Sequence, residues 1–259
     1  MLHTQTIDKM NQMKLYGMLE SIQNLLARSG TGGTQDLGPT ELFGLTIDAE
    51  WTYRENQKTK RLLTGAHFKE KTACIEALDY RAGRGLKKSV VTELTQNHWI
   101  KSHHNIVITG PAGSGKSFLA QALGHHAARF GFSVQYLRMP KLLFSLLQAR
   151  ADGSYLNFLK RLGKTQILIL DDWGLTAPGE QERQDLLEII EDRHQVGSTI
   201  VTSQLPVSAW HTYLGGSLIA DSILDRLINP AQRIELRTHE SLRKEVVSGG
   251  LTQSDKSAN

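Results

Sequence analysis

His104-Asn-Ile-Val-Ile-Thr-Gly-Pro-Ala-Gly-Ser-Gly-Lys-Ser117 is the stretch on which the reading of this chain turns. Ile106, Val107 and Ile108 make an apolar strand, a glycine-rich turn follows, and a helix opens near Lys116. The turn fits G-x-x-x-x-G-K-[ST], with Gly110, Pro111, Ala112, Gly113, Ser114, Gly115, Lys116 and Ser117 in register and Phe118 entering the helix. Glycines let the backbone curl until successive N–H groups point into one concavity, and the helix N-terminus adds partial positive charge there. Lys116 then reaches the outer phosphates of a nucleotide, and the Ser117 hydroxyl is a ligand for Mg²⁺. The stretch reads as a nucleotide-phosphate cradle, with ATP and Mg²⁺ as the expected occupants.

The rest of the chain sets bounds on that reading. At 259 residues it is one large domain, or one with a smaller appendage, and it has ample length for a buried core. A single cysteine, Cys74, excludes a disulfide framework and a cysteine zinc site, and fits a reducing cytoplasm. No apolar run approaches the ~20 residues of a membrane span, and the N-terminus lacks the basic start and apolar stretch of a signal peptide. The net charge of +4 hints only weakly at an anionic partner. Between Trp51 and Val90, however, ten basic residues face four acidic ones, an excess larger than that of the whole chain. Alone, such a run reads as a solvated helix face.

Taken in order, residues 4–28 carry Ile7, Met10, Leu15, Met18, Leu19, Ile22, Leu25 and Leu26 at three- to four-residue steps, the spacing of one amphipathic helix. A glycine-rich break at 29–39 precedes a second long helix from about Thr40, which runs into a basic face at Arg54, Lys58 and Arg61. These helices predict an all-helical N-terminal domain over 1–68, a docking or DNA-binding module. An α/β domain is expected over 69–247 and a disordered polar tail over 248–259. Residues 69–100 connect the two, with a turn at Asp79–Gly85 beside the nucleotide's adenine and a helix from Lys87 to Trp99. Beyond Lys116, strands at 133–137, 166–170, 198–204 and 231–236 alternate with helices, which implies a parallel sheet covered on both faces.

Gln166-Ile-Leu-Ile-Leu170 is wholly apolar and runs into Asp171-Asp172, the Walker B pattern, with Asp171 as a second Mg²⁺ ligand. The set of motifs then resembles an AAA+ ATPase of the initiator and helicase-loader group. The resemblance is closest to the IstB family, ATP-dependent helpers of certain insertion sequences. It is carried by Gly83-Arg-Gly-Leu86, Asp171-Asp-Trp-Gly174, Thr202-Ser-Gln-Leu-Pro206, Ile219-Ala-Asp-Ser-Ile-Leu-Asp-Arg-Leu227 and Glu240-Ser-Leu-Arg-Lys244, and it covers nearly the whole chain. DnaC-type helicase loaders are the nearest relatives outside that family.

This resemblance implies an AAA+ P-loop fold with a central five-stranded parallel sheet and a truncated lid. It also implies a homo-oligomer with ATP at subunit interfaces, which binds double-stranded DNA and assists a cognate transposase. By the same resemblance, Asp172 orients the attacking water, where many relatives carry glutamate. Gln204, or Ser203 beside it, is the sensor after the fourth strand, Arg226 is the finger that reaches a neighbour's ATP, and Arg243 is the second sensor. DNA contacts are expected from Lys141, Arg150, Lys160 and Arg161 and from Arg54, Lys58 and Arg61, each of which reads equally as plain solvated surface. The alternative function is a helicase loader that grips single-stranded DNA. A small P-loop kinase, and a switch that binds ATP without turnover, also remain open. His103-His104 and His125-His126 have no carboxylate or cysteine at ligand spacing, which argues against a metal there.

Overall fold

The computed structural model describes residues 4–28, 38–81, 83–229 and 231–237. Most of the glycine-rich break at 29–39, Arg243 with the short basic helix that the sequence leads one to expect at 241–246, and the tail at 248–259 lie outside them. The chain divides into two compact units, residues 1–61 and 62–259. The sequence had suggested a boundary near 68.

In the first unit, α1 (Thr4–Gln12), α2 (Tyr16–Arg28) and α3 (Pro39–Gly65, which runs on past the boundary) replace the expected pair of helices. The single helix expected over 4–28 breaks at Lys14, whose φ of 57° is left-handed. No glycine or proline marks that join, and the apolar spacing runs on across it, so periodicity alone reads it as continuous. Glu50 holds the unit together. Its Oε2 accepts from the Gly17 and Met18 amides at 2.9 and 3.1 Å, donors in the first turn of α2 that have no partner within the helix. Its Oε1 accepts from Arg54 Nε at 2.7 Å. Burial works against the Glu50 carboxylate but is outweighed by Arg54 and these amides, so its pKa lies below the ordinary value.

The second unit is built on strands β1 (Asn105–Thr109), β2 (Val134–Arg138), β3 (Ile167–Trp173), β4 (Ser198–Ser203) and β5 (Ala231–Glu235). They form one sheet in the order β2-β3-β4-β1-β5, with every pairing parallel. Alternation along the strands divides the core in two. Ile106, Ile108, Ile167, Ile169 and Ile200 face α6 (Lys116–Arg129) and α4 (Lys88–Thr95). Val107, Leu168, Leu170 and Val201 face α7 (Met139–Ala151), α8 (Tyr155–Lys164), α9 (Glu180–Arg193), α10 (Trp210–Tyr213) and α11 (Leu218–Ile228). The helix expected from Lys87 to Trp99 is interrupted after α4 by Asn97 at φ 60°, beyond which lies α5 (His98–Lys101). Asparagine tolerates that left-handed conformation better than most residues.

Strand β3 runs past the expected end at Leu170, through both aspartates. Its register with β4 jumps between Leu170 and Trp173, and Asp172 sits at φ 62°. One extra residue in a strand reverses the parity beyond it. Asp171 therefore keeps the face of Ile167 and Ile169, while Trp173 returns to the face of Leu168 and Leu170 and joins their core.

Arg193, 2% exposed, ties the amino end of the sheet to α8. Its Nη1 donates to the carbonyls of Leu162 and Thr165 at 2.6 Å each, and Nη2 donates to Ser198 O at 2.6 Å. Burial pulls its pKa down to about 10, which still leaves it charged at neutral pH against the carbonyl end of α8. Replacing Arg193 by Met is expected to strand three buried carbonyls and cost about 3 kcal/mol or more. Urea unfolding reads this as a lower midpoint, and an unchanged midpoint contradicts the assignment.

Candidate functional site

Candidate chemistry gathers at the carboxyl ends of the strands, where open parallel sheets bind ligands. Between β1 and α6 the backbone passes through Gly110, Gly113 and Gly115, all at positive φ. At Gly110 a Cβ would stand 2.3 Å from Leu236 O, so the turn needs glycine there for space as well as conformation. Lys116 is 8% exposed, and its Nζ donates to Pro111 O at 2.8 Å. The Ser114 hydroxyl is fully buried and has no hydrogen-bond partner within the protein. Arg84 Nη2 donates to Ser114 O at 2.8 Å, while its Nη1 pairs with Asp79 at 2.7 Å, so the Gly83-Arg84-Gly85 turn lies against the loop.

Asp171 is the centre of the site and is 2% exposed. Its Oδ1 accepts from Ser117 Oγ at 2.7 Å and from Thr202 Oγ1, and its Oδ2 accepts from Tyr136 OH at 2.6 Å. Burial, reinforced by the bond to Asp171, pushes the Tyr136 phenol well above its usual range, so it stays a proton donor to the carboxylate. Ser117 and Asp171 thus form an adjacent pair of hard oxygen donors, the donor chemistry that suits Mg²⁺. With the glycine-lined backbone concavity and the orphaned Ser114 hydroxyl, the residues present fit a nucleoside triphosphate and its magnesium.

Asp172 points elsewhere. Its Oδ2 accepts from Arg138 Nε at 2.7 Å, and that bond raises the guanidinium's own pKa. Gln204 lies past the end of β4, exposed, with no polar contact among the described residues. Ser203 faces away, donating to Trp173 O at 2.7 Å. The strand-end hydroxyl that meets Asp171 is Thr202, and sequence reading missed it. The signal was parity, since Thr202 shares the face of Ile200. Tyr136 and Arg84 were also missed as site residues, although both stand in segments the sequence had flagged.

Arg226 sits at the opposite end of the sheet. Its carbonyl accepts from Asn105, the first residue of β1, at 2.9 Å, whereas the glycine loop follows the last residue of that strand. Its Nη2 pairs with Glu191 at 2.5 Å, not with Asp221 or Asp225, and its buried Nε has no partner. Arg150, expected among the DNA contacts, is committed to the fold. It grips the buried Asp185 at 2.5 Å and lies over the Tyr155 ring at 3.9 Å. Arg54 is engaged by Glu50, and Lys58 lies 3.7 Å from Glu55. Arg61, Lys141, Lys160 and Arg161 form no ion pair among the described residues. His125 and His126 bond to the carbonyls of Glu70 and Thr95, and no cluster of metal-binding side chains gathers among the described residues. No described helix is long and apolar enough to cross a membrane.

Comparison with known proteins agrees with this geometry. The family described as IstB-like ATP binding protein matches residues 8–248. A putative insertion sequence ATP-binding protein of Sinorhizobium fredii (strain NBRC 101917 / NGR234) is 46% identical over 244 residues, 94% of this chain and 98% of that one. The insertion sequence IS1162 putative ATP-binding protein of Pseudomonas fluorescens is 42% identical over 208 residues, 80% and 89% of the two chains. Among solved structures, AMPPCP-bound DnaA from Aquifex aeolicus aligns with a TM-score of 0.57 at 22% identity, covering 71% of this chain and 56% of that one. The crystal structure of DnaI aligns with a TM-score of 0.55 at 20% identity, covering 68% and 93%. These structural likenesses concern the fold.

Thr202→Val and Tyr136→Phe each remove one donor to Asp171 with little change of volume. Each is expected to lower magnesium affinity or turnover about 10–100-fold while the protein stays folded. A magnesium titration of ATP hydrolysis reads this, and an unchanged titration in both variants contradicts the role given to Asp171.

Proposed function

We propose that this chain, a P-loop ATPase that belongs to the family of IstB-like ATP-binding proteins, is the ATP-dependent, DNA-binding helper of an insertion-sequence transposase and works as an oligomer. The observation that carries the reading is the family match over 8–248, with relatives named for insertion sequences aligned along 94% and 80% of this chain.

Lys116 and the loop amides bind the outer phosphates, and Ser117 with Asp171 would hold Mg²⁺. When bound, the ion neutralises charge building up on the phosphate oxygens. Tyr136 and Thr202 keep the Asp171 carboxylate oriented. Asp172 orients the attacking water and takes its proton, once its carboxylate is free of Arg138. Arg226 lies at the far end of the sheet from Lys116, so its guanidinium serves the ATP of a neighbouring copy. An arginine supplied in this way is worth roughly 10³–10⁵ in rate. In the single chain Glu191 holds it, and the neighbour's phosphates take that place on assembly. Lys141, Lys160, Arg161 and Arg61 remain candidates for the DNA backbone. Phe43, Ile47 and Trp51, exposed at four-residue steps along α3, support a role for that helix in docking a protein partner.

The function is tested by insertion of the element's ends into a target plasmid by its transposase. Insertion is expected to need this protein with ATP, and to fail with Lys116→Ala; insertion of equal efficiency without the protein overturns the reading. The oligomer is tested by mixing two inactive variants, Lys116→Ala and Arg226→Ala. If the finger acts between copies, the mixture regains about a quarter of the wild-type ATPase rate, the statistical share of interfaces with both parts intact. No recovery, or an active Arg226→Ala protein, counts against it.

A further inference from the structure

Arg84 stands between two glycines, Gly83 at φ 90° and Gly85 at φ 77°, and its side chain is 14% exposed. Conformation and space both call for glycine at 85, where a Cβ would meet Glu235 O at 2.4 Å. Arg237 N donates to Arg84 O at 2.8 Å, and Leu236 N donates to Thr109 O at 2.8 Å. Gly110, which opens the phosphate loop, is pressed in the same way against Leu236 O. The Gly83–Gly85 turn and the loop thus lean on neighbouring carbonyls at the end of β5, and this shared frame fixes the backbone of Arg84 relative to the loop.

The side chain spans the gap from an acid to the loop. Nη1 pairs with Asp79 Oδ2 at 2.7 Å, and Nη2 donates to Ser114 O at 2.8 Å. Arg81 shares the same carboxylate, its amide donating to Oδ1 at 3.0 Å and its Nε to Oδ2 at 2.8 Å. The Arg81 side chain and amide, with Arg84, hold the Asp79 carboxyl well below the usual carboxylate range, so it stays charged at neutral pH. A guanidinium suits this place because its fork is planar and rigid, and two of its arms serve two acceptors at once. Ser114 is fully buried, and a buried carbonyl needs a donor.

Holding that carbonyl has an effect on the next residue. In a planar trans peptide, the C=O of one residue and the N–H of the following one point in opposite directions. Ser114 C=O and Gly115 N–H are the two edges of one such plane, and Gly115 is the residue that caps α6 ahead of Lys116. An N–H there belongs to the set of donors that a phosphate meets at a helix N-terminus.

We propose that Arg84 is a positioning residue for ATP: by fixing Ser114 C=O on the outer side of the loop, it aims the Gly115 N–H into the cradle as a donor to the outer phosphates. Asp79 in turn fixes the guanidinium. Both terminal nitrogens of Arg84 are engaged, so it acts through the peptide and not on the phosphate itself. The amide meets phosphate in the ground state and the transition state alike, so Arg84 serves binding more than the chemical step. The proposal rests on the loop as the ATP site and not on transposition.

The test is steady-state ATP hydrolysis by the full chain at one protein concentration with excess magnesium, alongside direct ATP binding. Arg84→Met is expected to raise KM and the Kd for ATP about tenfold, the effect of one charge-assisted bond made slack, while kcat changes less than about threefold. Arg84→Lys keeps a donor for Ser114 O without the fork and is expected to regain part of that loss. Asp79→Asn loosens the guanidinium but leaves it in reach, and is expected to raise KM about threefold, as for a partly open ion pair. Hydrolysis of ITP separates a brace on the loop from a wall of the base pocket. The two nucleotides share their phosphates, so the ratio of kcat/KM for ATP to that for ITP in Arg84→Met is expected to stay that of wild type.

An unchanged KM in folded Arg84→Met, or a fall in kcat at constant KM, overturns the proposal. A loss confined to ATP and absent with ITP overturns it too, and assigns Arg84 to the base. If circular dichroism shows Arg84→Met to be unfolded, Arg84→Lys and Asp79→Asn carry the test, and a wild-type KM in both overturns it. Normal hydrolysis by Lys116→Ala is a separate failure, that of the loop as the ATP site.

Discussion

A carboxylate taken out of water must find partners, and Asp171 finds them in hydroxyls from three separate elements. Ser117 comes from α6, Tyr136 from β2 and Thr202 from β4. Each of these three hydroxyls donates a hydrogen bond to the carboxylate. The cost of burying it makes each donor hard to spare. In meeting that demand the three elements are drawn to one point at the carboxyl end of the sheet. The glycine loop is held beside the same point because Ser117 directly follows Lys116. Any divalent cation bound between Ser117 and Asp171 therefore inherits an arrangement that the fold already requires.

That arrangement depends on the bulge in β3. With regular alternation, Asp171 and Trp173 would share a face, and either the carboxylate would leave the site or the indole would leave the core. The extra residue sends Asp171 toward α6 and Trp173 toward α9–α11, with Asp172 at the bulge. A bulge re-aims a side chain in this way at many functional sites. Asp172 is then in reach of Arg138, so the two neighbouring aspartates have separate surroundings. One is enclosed by hydroxyls, the other paired with a cation at the edge of a basic cleft.

What could be read from the sequence follows from how local each feature is. The glycine loop, the apolar run ending in Asp171 and the five strands are each set by residues close in the chain, and they were legible. The left-handed Lys14 and Asn97, which divide two expected helices, were not, because neither is a glycine and the apolar spacing continues through both. Nor were the partners that cross the fold. Thr202 and Tyr136 lie 31 and 35 residues from Asp171, and Arg150 lies 35 from the Asp185 that absorbs it. Gln204, or Ser203 beside it, was assigned from the family resemblance, which did not show that Thr202 is the residue of β4 turned toward Asp171. Glu191, the partner of Arg226, belongs to a different helix, so local spacing does not reveal it.

Under the proposed function, the phosphate cradle at one end of the sheet and Arg226 at the other are complementary parts, and a neighbouring copy would complete the site. Assembly on DNA under the control of ATP is the central claim. Fluorescence anisotropy on a long labelled duplex and the matching single strand, with ATP and Mg²⁺, with ADP, and without nucleotide, tests it most directly. The account predicts tight binding to the duplex with ATP alone, lost in Lys116→Ala. Preference for the single strand, or binding to neither form in any nucleotide state, would contradict it.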